Sequence, residues 1–117
     1  MGNVAADMKY YLEQAGKTME QVGEAEPAFY EAYMNFSQQA GKAGALSTKV
    51  KELVCLAIGI AVHCTFCIAA HTKKAIDAGA SREEIMEIGF VAVKMGGGPS
   101  LAYLRYVIDA CDQLGAT

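Results

Sequence analysis

Residues 52–71 read ELVCLAIGIAVHCTFCIAAH, and from Leu53 to Ala70 the run holds no Asp, Glu, Lys or Arg. An uncharged stretch of about 18 residues is where a membrane span first has to be considered. A span would leave Gly59, His63, Cys64, Thr65 and Cys67 facing lipid or a partner, with Lys51, Glu52, Lys73 and Lys74 pressed against its ends. Two shorter helices buried against each other account for the same composition. The break is expected between Gly59 and His63, giving an antiparallel pair and an all-α fold.

The polar residues of this stretch point the same way. Cys64, Cys67 and His71 make a C-x-x-C-x-x-x-H pattern, and at about 100° per helical residue they fall within an arc of roughly 60°. They share one face. Side chains three apart meet, so the two sulfurs can close a disulfide with modest adjustment, and the imidazole of His71 reaches the Cys67 sulfur directly or through water. In one unbroken helix, Glu52 would lie ~18 Å from Cys64 and take no part. After a reversal it lies level with His71, where it can orient the imidazole or accept its proton, and His71 or a bound water can deprotonate Cys67. The break also sets Cys64 at a helix N-terminus, which favours a thiolate. The dipole thus nominates Cys64 as the lower-pKa thiol and the base nominates Cys67, and the sequence leaves both open.

Outward from this pair, the rest of the chain reads as helices separated by Gly and Pro. An opening helix near Val4 to Ala15 places Met8, Tyr11, Leu12 and Ala15 on one face, and a polar stretch follows. Pro27 suits a first helical position and leads a stripe of Phe29, Tyr33, Phe36 and Ala40, closed by Gly41 and Gly44. Ser47 is the expected N-cap of the helix carrying Glu52, and Gly79 ends the cysteine helix. Ser81 with Glu84 makes a capping box for the next helix. Its segment Gly89 to Val93 has the look of a strand, but the cap and the length favour helix. Gly96-Gly97-Gly98-Pro99 breaks the chain as a flexible turn. A last helix sets Leu101, Leu104, Ile108 and Cys111 toward the core.

The chain of 117 residues has room for one domain, residues 1–117, with no repeat or low-complexity tract. It is 53% hydrophobic, with positive mean hydropathy, more apolar than a small monomer needs. A homo-oligomer is expected. A net charge of -3 with interspersed signs gives no footprint for nucleic acid and no anchor for a membrane surface. The first fifty residues are mixed and charged, without a signal-peptide apolar core, so the expected compartment is the cytoplasm. There, a C-x-x-C pair is catalytic or metal-binding rather than a permanent staple. Cys55 and Cys111 sit at core spacings and are expected to be buried small apolar residues. His63 can cap a helix, bind substrate or fill the turn. The Tyr and Met residues at helical spacing belong to core or interface.

Glu52, Cys64, Cys67 and His71 on two consecutive helices of a small apolar chain resemble the signature of the AhpD-like (alkylhydroperoxidase D-like) proteins of the carboxymuconolactone decarboxylase superfamily. The likeness covers roughly Ser47 to Leu114 and includes Leu46-Ser47 before a Lys-rich, Glu-containing turn. It implies an all-α helical bundle assembled as a trimer or hexamer. It further implies a peroxidase or disulfide oxidoreductase reducing hydroperoxides, recharged by a dithiol or disulfide reductant, without a cofactor. In that reading Cys67 is peroxidatic, Cys64 resolves the sulfenic acid, and Glu52 and His71 relay the proton. One position departs from the pattern. The alkylhydroperoxidase D enzymes carry a further histidine between the cysteines, where this chain has Thr65 and Phe66, with His63 just outside the pair.

Besides a structural or interaction oligomer with inactive thiols, two other chemistries compete. Zinc would accept Cys64, Cys67 and His71 with Glu52 as a fourth candidate, but structural zinc draws its ligands from two knuckles and only one is present. Carboxymuconolactone-type decarboxylation would use His71 or His63 as proton donor with the cysteines as spectators, and the decarboxylases of the superfamily generally lack the paired cysteines. A c-type haem is excluded because Ile68 follows Cys67.

Overall fold

The structure, a computed structural model describing residues 5–117, contains six helices: α1 (Met8–Ala25), α2 (Pro27–Gly41), α3 (Thr48–Ala61), α4 (Thr65–Asp77), α5 (Arg82–Gly96) and α6 (Gly98–Leu114). It is all-α, with no strand among the described residues. The uncharged run is split as its sequence requires. Helix α3 ends at Ala61, the Cys64 N–H bonds back to the Gly59 carbonyl at 2.9 Å, and α4 starts at Thr65. Among the described residues, no helix is long and apolar enough to cross a membrane.

The core lies between α3, α4, α5 and α6. Leu56 and Ile60 from α3, Ile68 and Ala69 from α4, Ile85 from α5 and Val107 and Cys111 from α6 are fully buried. Met8 from α1 joins them. The start of α1 is clipped to α6 by polar side chains. The Met8 N–H donates to Gln113 Oε1 at 2.7 Å, and the Ala6 N–H donates to Asp109 Oδ2 at 3.1 Å. Both halves of the expected capping box at Ser81 and Glu84 form. Lys49 reaches Glu84 from α3 at 2.9 Å; the Ser81 backbone N–H above all, and Lys49 after it, hold the Glu84 carboxyl below its usual range. The strand-like segment from Gly89 to Val93 is helical. Gly89 is buried where an added Cβ would stand 2.9 Å from Leu104 Cδ2, so its missing side chain lets α5 and α6 close.

Three expectations are corrected. Helix α1 continues through the polar stretch to Ala25, because nothing stops it before Pro27, which pushes Glu26 out of helical geometry (φ -142, ψ 78). The expected start at Val4 lies outside the described residues. In α6 the inward stripe is Ser100, Leu104, Val107 and Cys111, while Leu101 is 59% exposed. Ser100 takes the inner place because it packs on Gly96, whose lack of a Cβ leaves room for it. Cys55 is exposed, unlike Cys111, since α3 turns its Leu53, Leu56 and Ile60 face inward.

Helix α2 packs on α1 and lies outside the core. It has no buried residue, and Phe29, Tyr33 and Phe36 are 62%, 46% and 69% exposed. The radius of gyration, 14.7 Å, exceeds the ~13.4 Å expected of a chain this long.

Candidate functional site

The site is built on the α3–α4 reversal. Val62 and His63 form the turn, and His63 takes a left-handed φ of 58°, unusual for a residue with a Cβ. Its ring leans on Tyr103 of α6, with centroids 4.8 Å apart. That contact holds the turn against the bundle and gives His63 a structural task. Gly59 is buried under the first turn of α4, and a Cβ there would come 3.0 Å from the Cys67 Cβ. The helices therefore cross at Gly59 and Cys67, which brings the residues before and after them side by side.

Cys64 is the N-cap of α4, and its sulfur accepts the Cys67 N–H at 3.2 Å. This is the place of a serine or aspartate cap, and the sulfur takes up one of the free amides of the first turn. Cys67 sits one turn in, partly buried. Burial, reinforced by the Cys64 sulfur beside it and by Cys55, pushes the Cys67 thiol up to about 11. All four cysteines are free thiols. Phe66 packs edge-on against Tyr11 of α1 at 5.2 Å, laying α1 beside the pair.

Glu52 and His71 meet as the reversal predicts. Glu52 Oε2 lies 2.7 Å from His71 Nδ1, with the side chains 16% and 24% exposed. A carboxylate can only accept, so Nδ1 carries the hydrogen and Nε2 is left as the acceptor of the neutral ring. The paired carboxylate and imidazole can thus take up a proton and hold the resulting cation.

Of the four residues singled out in the sequence, the structure pairs Glu52 with His71 and Cys64 with Cys67, on adjoining turns of one helix pair. A fifth residue was missed. Donor atoms of Glu52, Cys55 and His71 all lie within 4.8 Å of one another, and neither Cys64 nor Cys67 belongs to that group. The zinc set that the sequence argues against, built on the C-x-x-C pair, is not the group the fold gathers. The signal for Cys55 was its place three residues after Glu52 on one helix, which puts both on one face. Its apolar neighbours in sequence concealed it. Partial burial and the Glu52 carboxylate push the Cys55 thiol up, against the pull of Lys74.

The sequence model of the carboxymuconolactone decarboxylase family matches residues 27–110. An uncharacterized protein of Cupriavidus necator is 30% identical over 97% of this chain and all of its own length. A protein from the cox locus of Paracoccus denitrificans is 27% identical over 88% of this chain and 93% of its own. Among solved structures, a carboxymuconolactone decarboxylase family protein from Legionella pneumophila superposes with a TM-score of 0.88 at 31% identity, covering 92% of this chain and 96% of that one. One from Thermotoga maritima, for which a part in the antioxidative response has been suggested, gives 0.80 at 27% identity, over 90% and 89% of the two chains.

Proposed function

This chain belongs to the carboxymuconolactone decarboxylase family, and on that premise we propose that it is a thiol-dependent peroxidase and disulfide oxidoreductase. The observation that carries the reading is the pairing of Cys64 and Cys67 on the first turn of α4 with the Glu52–His71 contact of 2.7 Å on the same helix pair. The four side chains supply two electrons and a proton carrier.

The reaction begins when the Glu52–His71 pair, directly or through a water, takes the Cys67 proton. The Cys67 sulfur attacks one oxygen of a hydroperoxide, the O–O bond breaks, and the alcohol leaves with a proton while sulfur becomes a sulfenic acid. Cys64 attacks that sulfur, water leaves, and the disulfide forms. A dithiol then reduces it, so the sum is hydroperoxide plus dithiol giving alcohol, water and an external disulfide. The two cysteines have different environments suited to different tasks. Cys67, at about 11, needs a base to react at neutral pH. Cys64, capping α4 within reach of the Cys67 backbone, is placed to attack the sulfenic sulfur and to leave when a reductant attacks Cys67 of the disulfide.

The working assembly we propose is a trimer or hexamer. Support comes from Phe29, Tyr33 and Phe36 on α2 and from a one-sided stripe of Val50, Val54 and Ile58 on α3 continued by Val62 at its C-cap, all exposed in the single chain. A reducing cytoplasm would keep the pair as the dithiol.

Intact mass before and after one equivalent of an organic hydroperoxide tests the reading. The chain should lose the mass of two hydrogens, reversibly with a dithiol, and Cys64→Ser and Cys67→Ser should each abolish turnover. Turnover that survives in Cys67→Ser rejects it. The family name carries decarboxylation of a cyclic acid as a second reading, and activity indifferent to thiol alkylation would select that instead.

A further inference from the structure

We propose that Glu52, Cys55 and His71 form a site for a divalent cation of the zinc class, separate from the C-x-x-C pair. The three donors are a carboxylate, a thiol and an imidazole, the ligand types zinc takes. They come from both helices of the pair and converge within 4.8 Å of one another. Zinc bonds of about 2.0–2.3 Å leave tetrahedral donor atoms roughly 3.3–3.8 Å apart. The Glu52–His71 separation of 2.7 Å therefore opens slightly while Cys55, on the exposed side, closes in.

Binding deprotonates Cys55, and the proton goes to solvent. With carboxylate, thiolate and neutral imidazole bound, the cation's charge is balanced and a fourth position is left for water. Helix α3 holds Glu52 and Cys55 three residues apart on one face, and the close crossing at Gly59 fixes α4 beside it, so the donors are placed before the cation arrives. Entry is open from the Cys55 side.

The same cation has a consequence for the thiols, which rests on the peroxidase reading whereas binding itself does not. Glu52 and His71 cannot hold a cation and also receive the Cys67 proton. Zinc at Cys55 therefore arrests oxidation of the pair, and its removal restores it.

Cobalt(II) titration of the full-length, reduced, metal-free chain tests the site, because thiolate ligation gives a sulfur-to-cobalt charge-transfer absorption. One cobalt per chain is expected with that absorption, displaced by zinc and retained in the Cys64→Ser/Cys67→Ser double variant. In Cys55→Ala the absorption should vanish, and affinity should fall at least the roughly 10–100-fold that loss of a mere outer-shell partner costs. No charge-transfer band in the wild type, a band that survives Cys55→Ala, or a band lost in the double variant overturns the proposal. The consequence is read separately as hydroperoxide-driven loss of the Cys64 and Cys67 thiols. Zinc should slow it about 100-fold in the wild type, matching the loss of a general base, and a chelator should reverse this. In Cys55→Ala, zinc should leave the rate at that variant's own metal-free value. Cobalt bound at Cys55 in a chain that hydroperoxide never oxidises sinks the peroxidase reading and leaves the site standing. A chain that oxidises but shows no cobalt–sulfur band does the reverse.

Discussion

Replacing Glu52 with glutamine isolates the relay, because the amide keeps the shape and loses the charge. With the Cys67 thiol at about 11, only about one molecule in ten thousand carries its thiolate at pH 7, a deficit of about 5 kcal/mol. A positioned base recovers typically 10²–10⁴-fold, the order of that deficit. In the wild type the proton taken by His71 is stabilised by a carboxylate 2.7 Å from Nδ1. A hydrogen bond to a charged partner is worth about twice a neutral one, so the amide forfeits about 1–1.5 kcal/mol of that support. The rate of hydroperoxide-driven Cys64–Cys67 disulfide formation should therefore fall by roughly tenfold in Glu52→Gln at pH 7. The gap should narrow as the pH climbs toward 11, where hydroxide ionises Cys67 without help. Stopped-flow mixing of the reduced, metal-free protein with an organic hydroperoxide from pH 6 to 10 measures both. A Glu52→Gln rate within twofold of wild type at pH 7, or a gap that does not change with pH, refutes the relay.

Cys64→Ala removes the sulfur that caps α4 and should cost about 0.5–1 kcal/mol in urea unfolding, with Cys64→Ser close to wild type. In the same alanine variant the Cys67 thiol should titrate lower by alkylation rate against pH, although burial, the largest upward influence, stays. An unchanged titration would mean that the neighbouring sulfur does not raise it. Gly59→Ala puts a Cβ 3.0 Å from that of Cys67 and should destabilise by about 1–3 kcal/mol while slowing disulfide formation; full stability would show that the helices do not meet there. Alkaline stability follows from the sign of the Cys67 shift. A thiol raised from 9.0 to about 11 holds its proton more tightly when folded, so its contribution is complete below pH 9 and is lost as pH rises to 11. The melting temperature should decline over that window, and less steeply in Cys67→Ala.

Much of the architecture was legible because it rests on local chemistry. Proline at the start of α2, the Ser47 and Ser81 caps and the glycine after α4 are short-range signals, and each appears where its sequence places it. The pairing of Glu52 with His71 followed from chain length alone, since an acid far out of reach on a straight helix is brought level by one reversal. The register of α6 was less legible. Leu101 and Ser100 are neighbours on the helix, and which one turns inward is decided by space at Gly96 on another helix.

What the sequence by itself determined is the all-α bundle, the break in the uncharged run and the two facing pairs, because capping, periodicity and helical rise act within a few residues. Only the tertiary structure decided that Cys55 faces outward beside Glu52 and His71, and that burial pushes the Cys67 thiol up while Cys64 caps the helix. Exposure and ionisation depend on which surfaces the other helices cover, and that is a property of the packed chain, not of any one segment.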